Sequence, residues 1–362
     1  MYKDPSLPAM NILIVRTSAL GDIIQTFPVL EDLRSRFPDA AIDWVAENAF
    51  SSVLSSHPFI RDVISIDLNS LKQKWARWAA WRKFFSSIAW LRKKNYDLIF
   101  DLQGNCKSGI VTLCSRGKIK VGFGIGSARE WPNVLATHVR IQVSKKMNIR
   151  EHYLQLIRKY FQDSSPPKIK GIRFKTTPEE NNQLAGLLSR AEIQSSCKIM
   201  ICPGSKWGNK QLSFETFANL LRKIQPRLNA SFLLIWGNEA EKSFCESLSF
   251  QFPQKSLVVD KLSLSAWQNL MDESDLVIAV DSSALHLCAT TSTPSFSLFG
   301  PTQSEVFKPS GPLHLAYQGS CPYGRSFEKT CPVLRTCTTG ACMKNLKADE
   351  LFKAFIQWWK TI

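Results

Sequence analysis

The chain has 362 residues, of which 44% are hydrophobic and 21% charged. That composition excludes a disordered or low-complexity protein and leaves room for two domains of ordinary size. The formal net charge of +16 favours phosphates, carboxylates, nucleic acid or anionic lipid as partners without choosing among them. No stretch approaches the roughly 18 apolar residues of a spanning helix. The opening Met1-Tyr2-Lys3-Asp4-Pro5 lacks the basic-then-apolar layout of a secretory leader. A soluble, cytoplasmic protein is therefore expected. Met10 stands directly before the first strand, so residues 1–9 read as a short extension or a mis-called start. The ten cysteines are expected to be reduced rather than paired.

In chain order, residues 11–16 (NILIVR), 41–46 (AIDWVA), 63–66 and 97–101 (DLIFD) are apolar runs of strand length. Helical patterns at 23–37, 75–94 and 107–116 separate them. Buried strands alternating with helices predict a parallel sheet covered on both faces. The polar Asp163-Ser164-Ser165-Pro166-Pro167-Lys168 reads as a linker. The pattern then restarts, with strands at 198–202, 232–236, 276–280 and 295–299 and helices at 214–224, 239–250, 283–290 and 348–360. The expected fold is α/β: two doubly wound, Rossmann-like domains facing a cleft, with ligands beyond the carboxyl ends of the strands.

Three segments at such strand ends carry chemistry. Arg16-Thr17-Ser18-Ala19-Leu20-Gly21-Asp22 leads from a strand into a helix. It has neither the dinucleotide nor the P-loop glycine pattern. From its position Asp22 is first of all a helix cap or first-turn acid favoured by the helix dipole, and alternatively a general base at the mouth of the cleft. The loop Cys202-Pro203-Gly204-Ser205-Lys206-Trp207-Gly208-Asn209-Lys210 has glycines that allow close backbone approach and two lysines able to meet a diphosphate; an exposed loop with solvated lysines explains it as well. In Val280-Asp281-Ser282-Ser283-Ala284-Leu285-His286 the backbone N–H groups of 282–285 can cradle a phosphate. There His286 is either a phosphate ligand or a satisfied core histidine. Gly300-Pro301-Thr302 follows the next strand and fits the same pocket.

Together these segments resemble the lipopolysaccharide heptosyltransferases, glycosyltransferase family 9 with the GT-B fold. The resemblance runs from Met10 to the final helix. It extends to Asp101-Leu102-Gln103-Gly104 with Lys107-Ser108, to Ala128-Arg129-Glu130, and to Trp236-Gly237 followed by Glu241. It implies an inverting transfer of heptose from an ADP-heptose donor to the Kdo or heptose of the lipopolysaccharide inner core. In that transfer Asp22 would be the general base and Lys210 would neutralise the departing diphosphate. It also implies donor contacts from Ser205, Asp281, Ser282, Ser283, Ala284, Leu285 and His286, a ribose contact from Glu241, and an adenine pocket at Lys261 and Leu262. Thr17, Ser18, Gly21, Gln103, Lys107 and Arg129 fall on the acceptor side. Ser283 stands where some members have glycine. No metal or other cofactor is implied, and the sequence has no Asp-x-Asp to hold one.

The resemblance divides the chain into an acceptor-binding domain at 1–165, a nucleotide-sugar domain at 166–345, and a helix at 346–362 packing back toward the first. Residues 72–94 carry eight Lys or Arg, no acid, and interleaved aromatics including Trp75, Trp78, Trp81, Phe84, Phe85 and Trp90. This suits an anionic membrane surface or a phosphorylated lipid-linked acceptor, and also a helix packing one apolar face on the sheet. Cys321, Cys331, Cys337 and Cys342 have no C-x-x-C pair, so free thiols compete with a structural metal or redox pairing. A basic nucleic-acid binder would explain the charge, but no zinc-finger, bZIP or RNP motif is present. Another nucleotide-sugar transferase of the same fold, acting on a different anionic glycan, is the nearer alternative.

Overall fold

The computed structural model describes residues 10–67, 77–195 and 197–362. The chain divides into two compact units, Met1–Lys170 and Gly171–Ile362. The division falls just beyond the expected linker.

The first unit runs β1 (Asn11–Val15), α1 (Leu20–Ile24), α2 (Phe27–Arg36), β2 (Ala41–Ala46), α3 (Ser51–Ser55), β3 (Asp62–Ser65), α4 (Arg77–Leu91), β4 (Asn95–Asp101), α5 (Cys106–Cys114), β5 (Arg116–Phe123), the 3-10 turn Trp131–Ala136, β6 (Val139–Ile141) and α6 (Ile149–Tyr160). Its six strands lie in the order β3-β2-β1-β4-β5-β6, all parallel. The second unit runs α7 (Pro178–Leu188), β7 (Cys197–Cys202), the 3-10 turn Gly208–Lys210, α8 (Phe214–Leu228), β8 (Ala230–Leu234), α9 (Glu239–Phe250), β9 (Ser256–Val258), α10 (Leu264–Asp272), β10 (Leu276–Val280), α11 (Ser283–Cys288), β11 (Ser295–Phe299), α12 (Ser304–Phe307), β12 (His314–Gln318), α13 (Ala341–Lys344) and α14 (Ala348–Trp359). Its order, β12-β11-β10-β7-β8-β9, repeats the first unit's. Each sheet starts in the middle, winds outward, returns and winds the other way. This leaves a switch point between β1 and β4 and another between β7 and β10, where such sheets bind ligands.

The central strands form because their residues are mostly apolar and can be buried on both faces. Every residue of β10 (LVIAV) and β11 (SFSLF) is buried, as a parallel sheet between helix layers requires. The expected helix at 23–37 is broken at Gln25 and Thr26. A proline inside a helix removes a hydrogen bond and clashes with the preceding turn, so Pro28 sits instead in the first turn of α2. Strand β5 went unrecognised because its first half, Arg-Gly-Lys-Ile-Lys, is largely exposed and charged.

Asp43 on β2 is fully buried and meets Arg61, Lys94 and the Tyr96 hydroxyl at 2.8–2.9 Å. Burial disfavours its charge, but these three partners outweigh that and hold its carboxyl below the ordinary value. Helix α14 buries Leu351 and Phe355 in the core of the second unit, beside Phe217, Leu221 and Phe296. Its apolar face matches α8 and β12 of its own unit. Among the described residues no helix is long and apolar enough to cross a membrane.

Of the basic, aromatic run at 72–94, Lys72 and Trp75, and the side chains of Trp81 and Phe84, lie outside the described residues. Ile88 and Leu91 on α4 join Val111 of α5 in the core of the first unit. Trp78, Phe85 and Trp90 are exposed.

Candidate active site

At the first switch point, the loop after β1 is held by the loop after β4. Gln103 Oε1 accepts the Thr17 N–H at 2.6 Å, the Thr17 hydroxyl at 2.9 Å and the Ser18 N–H at 3.4 Å. Gln103 is aimed by Asp101, whose Oδ1 accepts the N–H groups of Gln103 and Gly104, both at 3.0 Å. The tight turn needs Gly104, which has φ +70° and little room for a Cβ beside Phe123 and the Arg129 backbone. Asn133 donates to the other oxygen of Asp101 at 2.6 Å. Burial raises the Asp101 carboxyl above its ordinary value against the pull of these hydrogen bonds.

Asp22 lies in the first turn of α1 with its side chain 36% exposed, and Arg16 Nη2 meets its Oδ2 at 3.0 Å. Arg16 is itself buried. Its Nη1 donates to the Leu102 carbonyl at 2.8 Å, and its guanidinium lies 4.9 Å from the centre of the Tyr153 ring. A fixed cation therefore keeps one edge of the Asp22 carboxylate oriented while the rest stays open to solvent. Burial pushes the Tyr153 phenol up to about 12, opposed by the charges of Arg16 and Arg129 and reinforced by Asp22. Arg129 is thus part of the same electrostatic neighbourhood. Glu130 accepts the Cys106 N–H at 2.8 Å. That bond holds its carboxyl below the ordinary value, with further help from Arg129 and Lys107. Thr17, Ser18, Asp22, Gln103, Lys107 and Arg129 are in this way brought to one end of the sheet, and Gly21 sits within α1 beside Asp22. Arg16 and Tyr153 were missed. A basic residue ending a strand gives no sign in sequence that it is buried, and Tyr153 sits on α6, which was not anticipated.

The second switch point is built in the same way. Lys210 Nζ, in the loop after β7, meets Asp281 Oδ2 after β10 at 2.6 Å, with side chains only 14% and 6% exposed. The Thr302 hydroxyl donates to the same oxygen at 2.5 Å. The Ser205 hydroxyl reaches the Asp281 carbonyl at 3.4 Å. Burial works against the charged form of Asp281, but Lys210 and His286, with hydrogen bonds from Lys210 and Thr302, outweigh it and hold the carboxyl below its ordinary value.

Ser282 caps α11 from an extended conformation without bonding the helix through its side chain. Its hydroxyl is buried with no hydrogen-bond partner among the described residues. A buried hydroxyl is rarely left unpaired, and here it stands at the head of a helix beside Lys210 and Asp281, where an anion oxygen would satisfy it. Ser283 follows it, and Ala284, Leu285 and His286 are buried along α11.

Glu241 lies in the first turn of α9, and its Oε2 accepts the Gly237 N–H at 2.8 Å. Its carboxylate occupies the space where a Cβ on residue 204 would stand, so Gly204 lets Glu241 take this position and a side chain there would displace it. The loop with Lys261, exposed, and Leu262, half-buried, follows β9. It is tied to the end of β8 by the Trp236 indole, which donates to the Val259 carbonyl at 2.8 Å. Sequence reasoning placed Thr302 near the pocket but gave it no role; its bond to Asp281 assigns one.

Asn209 donates to the carbonyls of Leu334 at 2.7 Å and Cys337 at 3.3 Å. The cysteine-bearing loop therefore braces the turn that carries Lys210. All ten cysteines are free thiols. Among the described residues no three His, Cys, Asp or Glu gather so as to hold a metal.

Residues 84–336 match the model of glycosyltransferase family 9 (heptosyltransferase). The chain belongs to glycosyltransferase family 9. Among similar proteins, lipopolysaccharide heptosyltransferase 1 of Pseudomonas aeruginosa is 27% identical over 326 residues, covering 89% of this chain and 87% of that protein. The Campylobacter coli protein of the same name is 29% identical over 314 residues, covering 82% and 85%. In fold, the structure of the E. coli heptosyltransferase WaaC with ADP superposes with a TM-score of 0.76 at 23% identity, covering 96% of this chain and 99% of that one. The family 9 protein thus has the two parallel six-stranded sheets of GT-B-like heptosyltransferases. It is a glycosyltransferase.

Proposed function

We propose that this family 9 enzyme transfers heptose from ADP-heptose to the lipopolysaccharide inner core, with inversion at the anomeric carbon. The observation that carries the reading is the group Lys210, Asp281 and Thr302 beside the unpaired Ser282 hydroxyl. This is a largely dry cradle in which an ammonium held by Asp281 and an unsatisfied hydroxyl can meet a diphosphate. Support comes also from the similar proteins named lipopolysaccharide heptosyltransferase 1 and from a WaaC structure with ADP-2-deoxy-2-fluoro heptose.

In this mechanism Asp22 takes the proton of the acceptor hydroxyl as that oxygen attacks the anomeric carbon. The bond to the diphosphate breaks on the opposite face, which inverts the configuration. Lys210 and the N–H groups at the start of α11 meet the charge that develops on the leaving group. Thr17, Ser18, Gln103, Lys107 and Arg129 serve the anionic acceptor. A divalent metal is not called for, because Lys210 supplies the counter-charge. With a lipid-linked acceptor, the enzyme works at the cytoplasmic face of the inner membrane as a peripheral protein, and residues 72–94 contact its anionic surface.

The test is incubation of the intact protein with ADP-L-glycero-D-manno-heptose and Kdo-bearing lipid A, with the product read by mass spectrometry. One added heptose is the expected result. Donor binding without product would point to another acceptor or sugar, and no donor binding at all would sink the reading.

Glu241 is assigned to the ribose hydroxyls. Replacing it, Glu241→Gln, removes a charge-assisted hydrogen bond, at a cost of about 1.5–3 kcal/mol. The Michaelis constant for ADP-heptose should rise roughly tenfold to a hundredfold, while kcat at saturating donor changes little. Equal losses in kcat would place Glu241 nearer the chemistry.

A further inference from the structure

Helix α5 and the 3-10 turn Trp131–Ala136 lie side by side in the first unit, and Gly109 of α5 packs on Asn133 and Ala136 of the turn. Their inner residues are ordinary core: Val111, Val134 and Ala136 are buried. Their outer residues are not what a solvated surface carries. Ile110 and Leu113, one turn apart on α5, and Trp131 and Leu135, one turn apart on the neighbouring segment, are each exposed by half or more. Four large exposed apolar side chains on two adjoining elements are more than a solvated surface scatters by chance, and such a cluster marks a contact surface.

The surrounding charge says what kind of surface it meets. From residue 106 to 136 the sequence carries five Lys or Arg and a single acid, Glu130. Glu130 is already engaged with the Cys106 N–H. Arg116 and Lys118, directly after α5, are exposed, and Lys120 Nζ bonds the Leu113 carbonyl at the edge of the apolar group.

We propose that the outer face of α5 and the Trp131–Ala136 turn is a docking surface for an anionic lipid bilayer. Trp131 and the aliphatic side chains enter the interfacial region, while the cations meet lipid phosphates. A second copy of the chain fits less well. A two-fold contact through this patch would bring the basic segment 116–120 of one copy against the same acid-free, basic segment of the other, like charge on like. The proposal rests on the reading that the enzyme works at a membrane, and it adds a surface that the basic run at 72–94 does not include.

The test is co-sedimentation of the full chain with vesicles of phosphatidylglycerol and phosphatidylcholine in equal parts, and with vesicles of phosphatidylcholine alone. The intact protein should follow the anionic vesicles and largely ignore the neutral ones. The variant Ile110→Ser/Leu113→Ser/Trp131→Ser/Leu135→Ser should bind at least about tenfold more weakly, with an unchanged Tm and unchanged transfer to a water-soluble acceptor fragment. A second variant, Trp78→Ser/Phe85→Ser on α4, separates the two ideas. If it releases the protein and the fourfold variant does not, the membrane reading stands and the α5 surface falls. If the intact protein sediments with neither vesicle, both fall. If it dimerises in gel filtration, ignores vesicles, and the fourfold variant makes it monomeric, the patch is covered by a second copy and the proposal is overturned.

Discussion

Asp22→Asn should reduce heptose transfer by roughly a hundredfold to ten-thousandfold, the range over which a positioned general base contributes. Asparagine keeps the shape of the side chain and an oxygen facing Arg16 Nη2, now 3.0 Å from the Asp22 carboxylate. It cannot take a proton from the acceptor. The loop geometry around it does not depend on its charge, because Thr17 and Ser18 are held by Gln103 and Arg16 is held by the Leu102 carbonyl and Tyr153. ADP-heptose binding should therefore be close to that of the parent, while Tm falls modestly because buried Arg16 loses its partly exposed counter-charge. The measurement is initial rate at saturating donor and acceptor, with donor affinity by calorimetry in parallel. Transfer at the parental rate would remove Asp22 from the base role and leave it as a first-turn acid stabilised by the helix dipole.

Lys210→Met carries two consequences that different instruments read. Loss of the charge that meets the leaving diphosphate should raise the barrier by about 3 kcal/mol, or about a hundredfold in rate. Independently, the substitution strands Asp281, a carboxylate 5% exposed, with Thr302 and His286 but no lysine. Breaking a buried pair from one side costs about 3–5 kcal/mol of stability.

The pH dependence of that loss has a definite sign. In the parent, the folded Asp281 carboxyl sits below its ordinary value of 3.8. Its contribution is therefore present at neutral pH and lost as pH falls through the depressed value. In the variant, burial dominates and the folded carboxyl rises above the unfolded one. Protonation then relieves the folded state, and stability improves as pH is lowered from neutral toward acid. Thermal melts of both proteins across the acid range should show the gap between them closing. A gap independent of pH would mean that Asp281 is not the group left unpaired.

The alternation of strand and helix was legible wherever strands are buried on both faces. Residues 41–46, 276–280 and 295–299 were bounded correctly because each is a short, mostly apolar run, interrupted only by Asp43 in the first and by two serines in the last. Strand β5 hid behind charges, β6 and β9 are three residues long, and β12 is only half-buried at its edge of the sheet. The site was legible to the extent that small and charged residues cluster just after strands. What sequence could not reveal is which of those residues restrain one another. Gln103 holding Thr17, Arg16 lying under Asp22, and Thr302 sharing an oxygen of Asp281 with Lys210 join positions from 6 to 86 residues apart. Only the switch-point topology brings such positions together.

The pairing of Lys210 with Asp281 also bears on where the energy of donor binding goes. A free lysine side chain has about 2 kcal/mol of rotamer freedom to lose, and a ligand that captures one must supply that ordering. Here the ammonium is immobilised before any donor arrives, by a carboxylate that Thr302 fixes in turn. The ordering is completed when the protein folds. On the proposed reading a sugar nucleotide meets a site already shaped, whose lysine charge is shared with Asp281 in the resting state. The binding energy not needed to order the lysine is left for the separating diphosphate, which is the difference that speeds a reaction.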